Sequence, residues 1–209
     1  MTDDLPASAD EDRLRPRGAY AKGIARRQEI LDRAIEVFAA RGADRTSLRA
    51  IASAVGVTHS ALTHYFGSLE ELLVAVYKES TAPGRQQPDA LPDHATPVER
   101  MLESARTNRE IPGLVQLYST LVAAALEEGH PAAREFATTR FARLRTDMAD
   151  VIRHQQDGGL MRDDVDAGAV AALIVAASDG LQTQWLLDES TPQQESLALL
   201  DRLLRPAAR

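Results

Sequence analysis

The chain has 209 residues, 44% of them hydrophobic and 26% charged, as in ordinary globular proteins. It contains no cysteine, which excludes disulfide bonds, thiolate metal sites and cysteine nucleophiles. The formal net charge is −7, yet residues 13–66 carry ten Lys or Arg against four Asp or Glu, whereas residues 1–12 carry five acids and no base. A basic segment joined to an acidic body suits a protein that meets phosphate at one end.

Residues 1–18 mix charges with proline and glycine and show little periodicity, which predicts a disordered arm. Its three arginines either reach a DNA groove or belong to a solvated tail. The start of the chain is acidic and polar, unlike a secretory signal. The longest apolar run, residues 167–177, is too short to cross a bilayer. We therefore expect a cytoplasmic protein without a membrane partner.

The first predicted helix covers about residues 21–41 and is closed by Gly42. Basic side chains stand at its start, where they either meet phosphates or face solvent. Its apolar residues recur at helical spacing and form one stripe: Ile30, Leu31, Ala34, Val37 and Phe38.

Residues 46–66 predict two short helices joined by a tight turn at Gly56. The first has apolar residues at positions i, i+3, i+4 and i+7, and Thr46 or Ser47 can cap its start. The second begins after Thr58 and buries one apolar face. This is the pattern of a helix-turn-helix, in which the second helix enters the DNA major groove. An ordinary helical hairpin is the alternative interpretation.

The second of these helices presents a polar face opposite Leu62 and Phe66. Hydroxyl and imidazole groups can form hydrogen bonds with base edges and phosphates, so this face is a candidate DNA contact. Its residues are His59, Ser60, Thr63 and His64.

Further helices follow along the rest of the chain. Ser68-Leu69-Glu70-Glu71 predicts a capping box that begins a connecting helix to about Ser80. Residues 82–95 are rich in proline and predict a loop and a domain junction. The next helices each begin with a proline and cover about residues 97–108, 112–129 and 131–157.

The last two predicted helices indicate a subunit interface. The helix over about residues 166–188 is apolar on most sides, which predicts burial on all sides. Thr191-Pro192-Gln193-Gln194 predicts a capping box that begins a final helix to about Leu204. Two such helices from each of two subunits would form a four-helix bundle about a two-fold axis. We expect Leu200 and Leu204 to lie in that interface.

Motifs of catalysis and metal binding are missing from the sequence. It contains no glycine-rich phosphate loop, no His-Glu-x-x-His and no Gly-x-Ser-x-Gly, and its five histidines are scattered. The acids Asp163, Asp164 and Asp166 precede a helix, which favours capping and interaction with its dipole over a metal site. Strand patterns are also missing. We expect an all-α protein with no catalytic residue, metal or cofactor; an all-helical enzyme or scaffold is the rival interpretation.

The N-terminal part resembles the tetracycline-repressor (TetR) family of bacterial transcriptional regulators over about residues 22–78. The matching runs are Ile30-Leu31-x2-Ala34-x3-Phe38-x3-Gly42, Thr46-Ser47-Leu48-Arg49-x-Ile51-Ala52-x2-Val55-Gly56-Val57-Thr58 and Leu62-x2-Tyr65-Phe66-Gly67-Ser68-x-Glu70-Glu71-Leu72. The resemblance implies about nine helices in three parts. These are a disordered arm (1–18), a three-helix helix-turn-helix DNA-binding domain (19–67) and a helical effector-binding and dimerisation domain (68–209).

The resemblance also implies a function. A homodimer, joined through the last two helices, would bind a palindromic operator in double-stranded DNA as a repressor and leave it when a small-molecule effector binds. The alternative is an activator or a ligand-independent DNA-binding protein. By position, Thr46, Ser47 and Arg49 would touch phosphate or a base. Thr58 would join His59, Ser60, Thr63 and His64 on the recognition helix.

Two positions depart from the family pattern. Thr63-His64-Tyr65-Phe66 stands where relatives often have Tyr-Tyr-His-Phe, which changes the aromatic phosphate contacts. Leu69 stands where a lysine commonly contacts phosphate. Both changes predict weaker phosphate contacts.

An effector pocket would lie among the helices from 97 to 188. For each candidate lining residue, plain core packing is the alternative. Asp179 and Gln182 are polar exceptions in an apolar helix and could orient a ligand, face solvent or bond across the dimer. The stretch Asp179-Gly180-Leu181-Gln182 with Trp185 resembles a recurring late-helix pattern of the family. The candidate ligand-binding residues are Tyr118, Phe141, Met148, Asp179, Gln182 and Trp185.

Overall fold

The computed structural model describes residues 17–41, 48–82, 91–92 and 94–206, with side chains from residue 22 onward except at 38–39, 41 and 48–50. All regular structure in this part of the chain is helical, which confirms the predicted all-α fold. The helices are α1 (Arg17–Arg41), α2 (Leu48–Val55), α3 (His59–Phe66), α4 (Leu69–Ser80), α5 (Pro97–Glu110), α6 (Leu114–Ala125), α7 (Pro131–Asp157), α8 (Ala167–Leu187) and α9 (Gln193–Leu204).

Most helix bounds agree with the prediction to within a few residues. α1 includes Arg17, so it begins inside the predicted arm, and residues 1–16 lie outside the described part of the chain. α6 is shorter than predicted because Gly113, with a left-handed φ of 74°, precedes it and a turn follows Ala125.

Two clusters of buried side chains hold the helices together. The first extends from α1, α2 and α3 through α4 into α6 and the start of α7. The second joins α5, the C-terminal half of α7, α8 and α9. The helix-turn-helix therefore shares its core with α4, α6 and α7, so a displacement of these helices would shift the helices that pack against them, including α3.

Polar caps define several helix starts as predicted. Ser68 Oγ accepts a hydrogen bond of 3.1 Å from the Glu71 N–H, so Ser68 is the N-cap of α4 as predicted. The reciprocal half of the predicted capping box does not form, because the Ser68 N–H donates to the Phe66 carbonyl and the Glu71 carboxylate accepts from the Ser68 hydroxyl. Thr96 and Glu99 form a complete capping box at α5. At α8, Asp166 accepts the Ala169 N–H at 2.7 Å, as the capping interpretation of the acidic segment requires.

The predicted capping box at the last helix is wrong. Pro192 occupies the N-cap position of α9 without a side-chain cap bond, and the helix starts at Gln193. Proline has no side-chain acceptor, so Pro192 cannot accept the capping hydrogen bond that the sequence pattern assigned to Thr191. Gln194, which the predicted box places at the third helical position, is exposed, and no side-chain cap bond forms at this helix start.

α8 is not buried on all sides by the described residues of this chain. It packs along α7 and α9 through Val170, Ala171 and Ile174, while Leu173 is 54% exposed. The sequence analysis considered only the apolar run 167–177, but the whole of α8 is long and apolar enough to cross a membrane by length and composition. Within this chain, 28% of its most apolar stretch is buried. Its packing on α7 and α9 accounts for the apolar residues of one side.

The expected interface residues on α9 also need correction. Leu204 is 6% exposed and belongs to the core of this chain, and Leu200 packs against the same core. The exposed leucines of this helix are Leu199 and Leu203, at 48% and 60%. The sequence pattern alone cannot separate these neighbouring leucines, because all four fit one broad apolar face.

Candidate DNA-binding surface and effector site

The α2–α3 unit has the geometry of a helix-turn-helix. Gly56 adopts a φ of 72°, which the turn requires, and the Val57 N–H donates to the Ala52 carbonyl at 2.9 Å. Leu62 and Phe66 are buried and fix the inner side of α3 against the core. The opposite side of α3 is therefore held outward on a rigid support.

All five candidate residues of α3 and its cap are exposed. Thr58 Oγ1 accepts the Ala61 N–H at 3.1 Å, and Thr63 Oγ1 donates to the His59 carbonyl at 3.0 Å. The His64 ring stands edge-on to Tyr65, with centroids 5.3 Å apart. The side chains of His59 and Ser60 make no hydrogen bond with other described residues and are available to a partner.

The remaining DNA-binding candidates lie at the edge of the described chain. Thr46 and Ser47 lie outside the described residues, and Arg49 is described only by its backbone in α2. Their proposed contacts stay predictions. Leu69, which replaces the expected lysine, packs half-buried against the N-terminal core, so it has a structural role in this chain.

A polar clamp joins α4 to the start of α7. The Glu70 carboxylate accepts the Ala132 N–H at 3.0 Å with one oxygen, and its other oxygen lies 2.8 Å from His130 Nδ1. A carboxylate at a helix N-terminus is favoured by the helix dipole. The clamp therefore fixes the helix after the recognition helix against the helical domain.

Three of the candidate ligand-binding residues meet in the interior. Tyr118, Asp179 and Gln182 line a small cavity of about 20 Å³ between α4, α5, α6, α7 and α8. The Tyr118 hydroxyl donates to Asp179 Oδ2 at 2.8 Å. The Arg140 guanidinium lies over the rings of Tyr118 and Tyr77, 5.0 and 5.4 Å from their centroids. A space of this size admits about one water molecule.

Burial dominates the acid–base properties of this cluster. It raises the pKa of Asp179, against the opposing effects of the Tyr118 hydrogen bond and the Arg140 charge. The pKa of Tyr118 is raised by burial and by the negative charge of Asp179. Burial also raises the pKa of Tyr77. Both tyrosines are therefore hydrogen-bond donors at neutral pH.

The other three candidate ligand-binding residues lie elsewhere. Phe141 packs against the N-terminal core and Met148 against the C-terminal core. For these two residues the alternative of plain core packing therefore holds. Trp185 lies under the Arg109 guanidinium, 4.5 Å from the ring centroid. None of the three lines the small cavity.

Sequence reasoning missed Arg140. It falls on the buried stripe of α7, in helical register with Phe136, Ala137 and Phe141, where an apolar residue is expected. A charge on such a stripe was the available signal. Its Nε is buried and has no hydrogen-bond partner among the described residues.

Two larger clefts open on the surface. One, of about 750 Å³, lies between α1, α3, α4 and α7. The other, of about 930 Å³, lies among α5, the end of α7 and α9. Both have room for an organic molecule, which the interior cavity lacks.

Comparison with known proteins agrees with this geometry. Residues 30–76 match the family model of bacterial regulatory proteins of the tetR family, and residues 98–208 match that of the C-terminal part of BetI-type transcriptional repressors. An HTH-type transcriptional repressor of Mycobacterium tuberculosis is 27% identical over 191 residues, which cover 85% of this chain and 90% of the relative.

Solved structures share the fold. A TetR-family transcriptional regulator from Rhodococcus sp. superposes with a TM-score of 0.63 at 22% identity, over 86% of this chain and 98% of that one. A transcriptional regulator from Saccharomonospora viridis in complex with choline gives 0.61 at 21%, over 86% and 95%. The C-terminal family model alone matches more than half of the chain. The chain belongs to the tetR family of bacterial transcriptional regulators and is not an enzyme.

Proposed function

We propose that the protein is a cytoplasmic, ligand-responsive repressor that binds a palindromic operator as a homodimer. The proposal rests on one observation above all: α3 is anchored by Leu62 and Phe66 and presents His59, Ser60 and His64 outward. A helix held in this way can enter the major groove and form hydrogen bonds with base edges.

Exposed apolar surface on the last two helices supports the dimer. Leu173 of α8 and Leu199 and Leu203 of α9 are each about half exposed or more. Apolar side chains gathered on adjacent helices indicate a protein–protein interface. Binding of both copies of α3 to successive major grooves requires that the two-fold axis set them about 34 Å apart.

The shared core supports a route from effector to operator. α4 packs on the helix-turn-helix and on α6 and α7, and Glu70 ties it to the start of α7. An effector that binds better to one arrangement of these helices than to the other would shift the two recognition helices away from operator spacing.

A ligand-independent DNA-binding protein is the second candidate. It is favoured by the small size of the interior cavity lined by Tyr118, Asp179 and Gln182. The volume of this cavity is about 20 Å³, which is too small for an organic effector. The two candidates differ in whether any small molecule releases the operator.

The test is binding to the DNA that flanks the protein's own gene, by fluorescence anisotropy with excess random DNA at two salt concentrations. We expect two protomers per site and binding that survives the competitor. The variant His64→Ala should bind about tenfold more weakly, as expected for a lost base contact. His154→Ala is the matched control, because His154 is exposed at the far end of α7.

Three results would contradict the proposal. They are binding that random DNA abolishes, a single protomer per site, and equal loss of affinity in both histidine variants. Loss of binding on addition of a metabolite extract would identify a ligand-responsive regulator, and its absence would favour the ligand-independent candidate.

A further inference from the structure

The cleft of about 750 Å³ spans the boundary between the DNA-binding helices and the helical domain. Its walls come from α1, α3, α4 and α7, so an occupant would touch the recognition helix and the helical domain at once. Its floor includes the apolar rings of Phe66, Tyr77 and Phe136.

The charge of this cleft is mainly positive. Arg27, Lys78, Arg140 and Arg143 line it, and none of these four side chains forms an ion pair with another described residue. The acids in the wall are Glu71, whose carboxylate accepts from the Ser68 hydroxyl, and Glu135. Four cations against two anions favour an anionic occupant.

The contacts of Arg27 and Arg140 also favour an anionic occupant of the cleft. The Arg27 guanidinium lies 4.7 Å from the Phe66 ring centroid, and that of Arg140 lies over two tyrosines. Cation–π contacts compensate only part of the lost hydration of a cation. Arg140 is half-buried, and its buried Nε–H has no acceptor among the described residues. A carboxylate bound in the cleft would supply that acceptor once the Arg140 side chain turns toward it from the tyrosines.

We propose that this cleft binds a small organic anion with a flat apolar body, whose carboxylate is held by Arg140 and Arg143. The two arginines are three residues apart on α7 and so share one face. The planar donor fork of arginine matches the two oxygens of a carboxylate. The apolar body would contact the aromatic rings that line the cleft after the guanidinium groups stacked on Phe66 and Tyr77 shift toward the carboxylate.

The position of the cleft gives the bound anion a regulatory role, and this part rests on the proposed function. The anion would join Arg140 of α7 to α3 and α4, and it would draw the guanidinium away from Tyr118 and Asp179. Binding would thus change how the helix-turn-helix sits on the helical domain.

The experiment uses 1-naphthoate as the probe and the full chain without DNA, followed by the probe's fluorescence anisotropy. The neutral counterpart 1-naphthalenemethanol should bind at least about tenfold more weakly, because it lacks the charge-assisted hydrogen bonds. Arg140→Gln and Arg143→Gln should each weaken naphthoate binding by about tenfold or more. Arg145→Gln should leave it unchanged, because Arg145 is exposed on the same helix and does not line the cleft.

The inference is overturned if the acid and the alcohol bind equally, if Arg143→Gln binds as the wild type does, or if naphthoate does not bind below about 1 mM. Circular dichroism checks that Arg140→Gln is folded. If it is not, the naphthoate affinity of Arg143→Gln decides the outcome, because Arg143 is exposed and its substitution should not disturb the fold. Operator binding is measured separately. Naphthoate binding without operator binding would contradict the proposed function alone. Operator binding without naphthoate binding would contradict the anion site alone.

Discussion

The Tyr118 hydroxyl donates a hydrogen bond of 2.8 Å to Asp179 Oδ2 and so joins α6 to α8 across the interior of the helical domain. Tyr118 is 5% exposed, and Asp179 is half-buried. Removing either partner would leave a buried polar group unpaired, which costs more than the bond itself contributes.

The variant Tyr118→Phe should lower the free energy of unfolding by about 1–3 kcal/mol, because it leaves the carboxyl group of Asp179 without its hydrogen-bond donor. Urea denaturation measures the change. Tyr65→Phe is the control, since the half-buried Tyr65 makes no hydrogen bond through its hydroxyl with described residues. Equal stability of Tyr118→Phe and the wild type would show that the hydrogen bond is not formed in solution.

Stability should depend on pH through Asp179. Its pKa in the folded state is raised above the ordinary 3.8, so its contribution to stability is complete below that value and is lost as pH rises through the folded pKa. The variant Asp179→Asn keeps an acceptor for Tyr118 and carries no charge. Its free energy of unfolding, relative to the wild type, should therefore increase between about pH 4 and pH 7. A difference that is independent of pH in urea titrations would contradict this prediction.

The clamp between α4 and α7 should contribute to stability. Glu70→Ala removes the acceptor of the Ala132 N–H at the start of α7 and should cost about 1–3 kcal/mol. Hydrogen exchange should show faster exchange at Ala132 in this variant. Glu128→Ala, which changes an exposed acid in the neighbouring turn, should stay within about 0.5 kcal/mol of the wild type. The same loss in both variants would exclude a specific clamp.

The exposed leucines of the last two helices should hold the dimer. The double variant Leu173→Glu, Leu203→Glu should sediment as a monomer, because it places charges in the apolar interface. Leu126→Glu is the control, since Leu126 is 82% exposed outside α8 and α9. A dimeric double variant would place the interface elsewhere.

Core leucines should behave differently from interface leucines. Leu204→Ala should lower the free energy of unfolding by about 2–5 kcal/mol through the cavity that it leaves, and the folded fraction should stay dimeric. The exposed Leu199→Ala should change unfolding much less. Thermal unfolding with sedimentation separates the two effects, and a monomeric, fully stable Leu204→Ala would reverse the assignment.

Much of the fold could be predicted from local sequence signals. Gly56 and the apolar spacing around it predicted the helix-turn-helix, and Ser68, Thr96 and Asp166 marked helix starts that the structure confirms. These signals are local: a cap or a left-handed turn depends on neighbours a few residues away, which the sequence displays directly.

Only the tertiary structure decided which apolar and charged side chains meet. Leu204 is buried while Leu203 is exposed, and Arg140 stacks on tyrosines from two other helices. Such contacts depend on how each helix is rotated and crossed against its neighbours, and helical periodicity by itself does not fix that rotation.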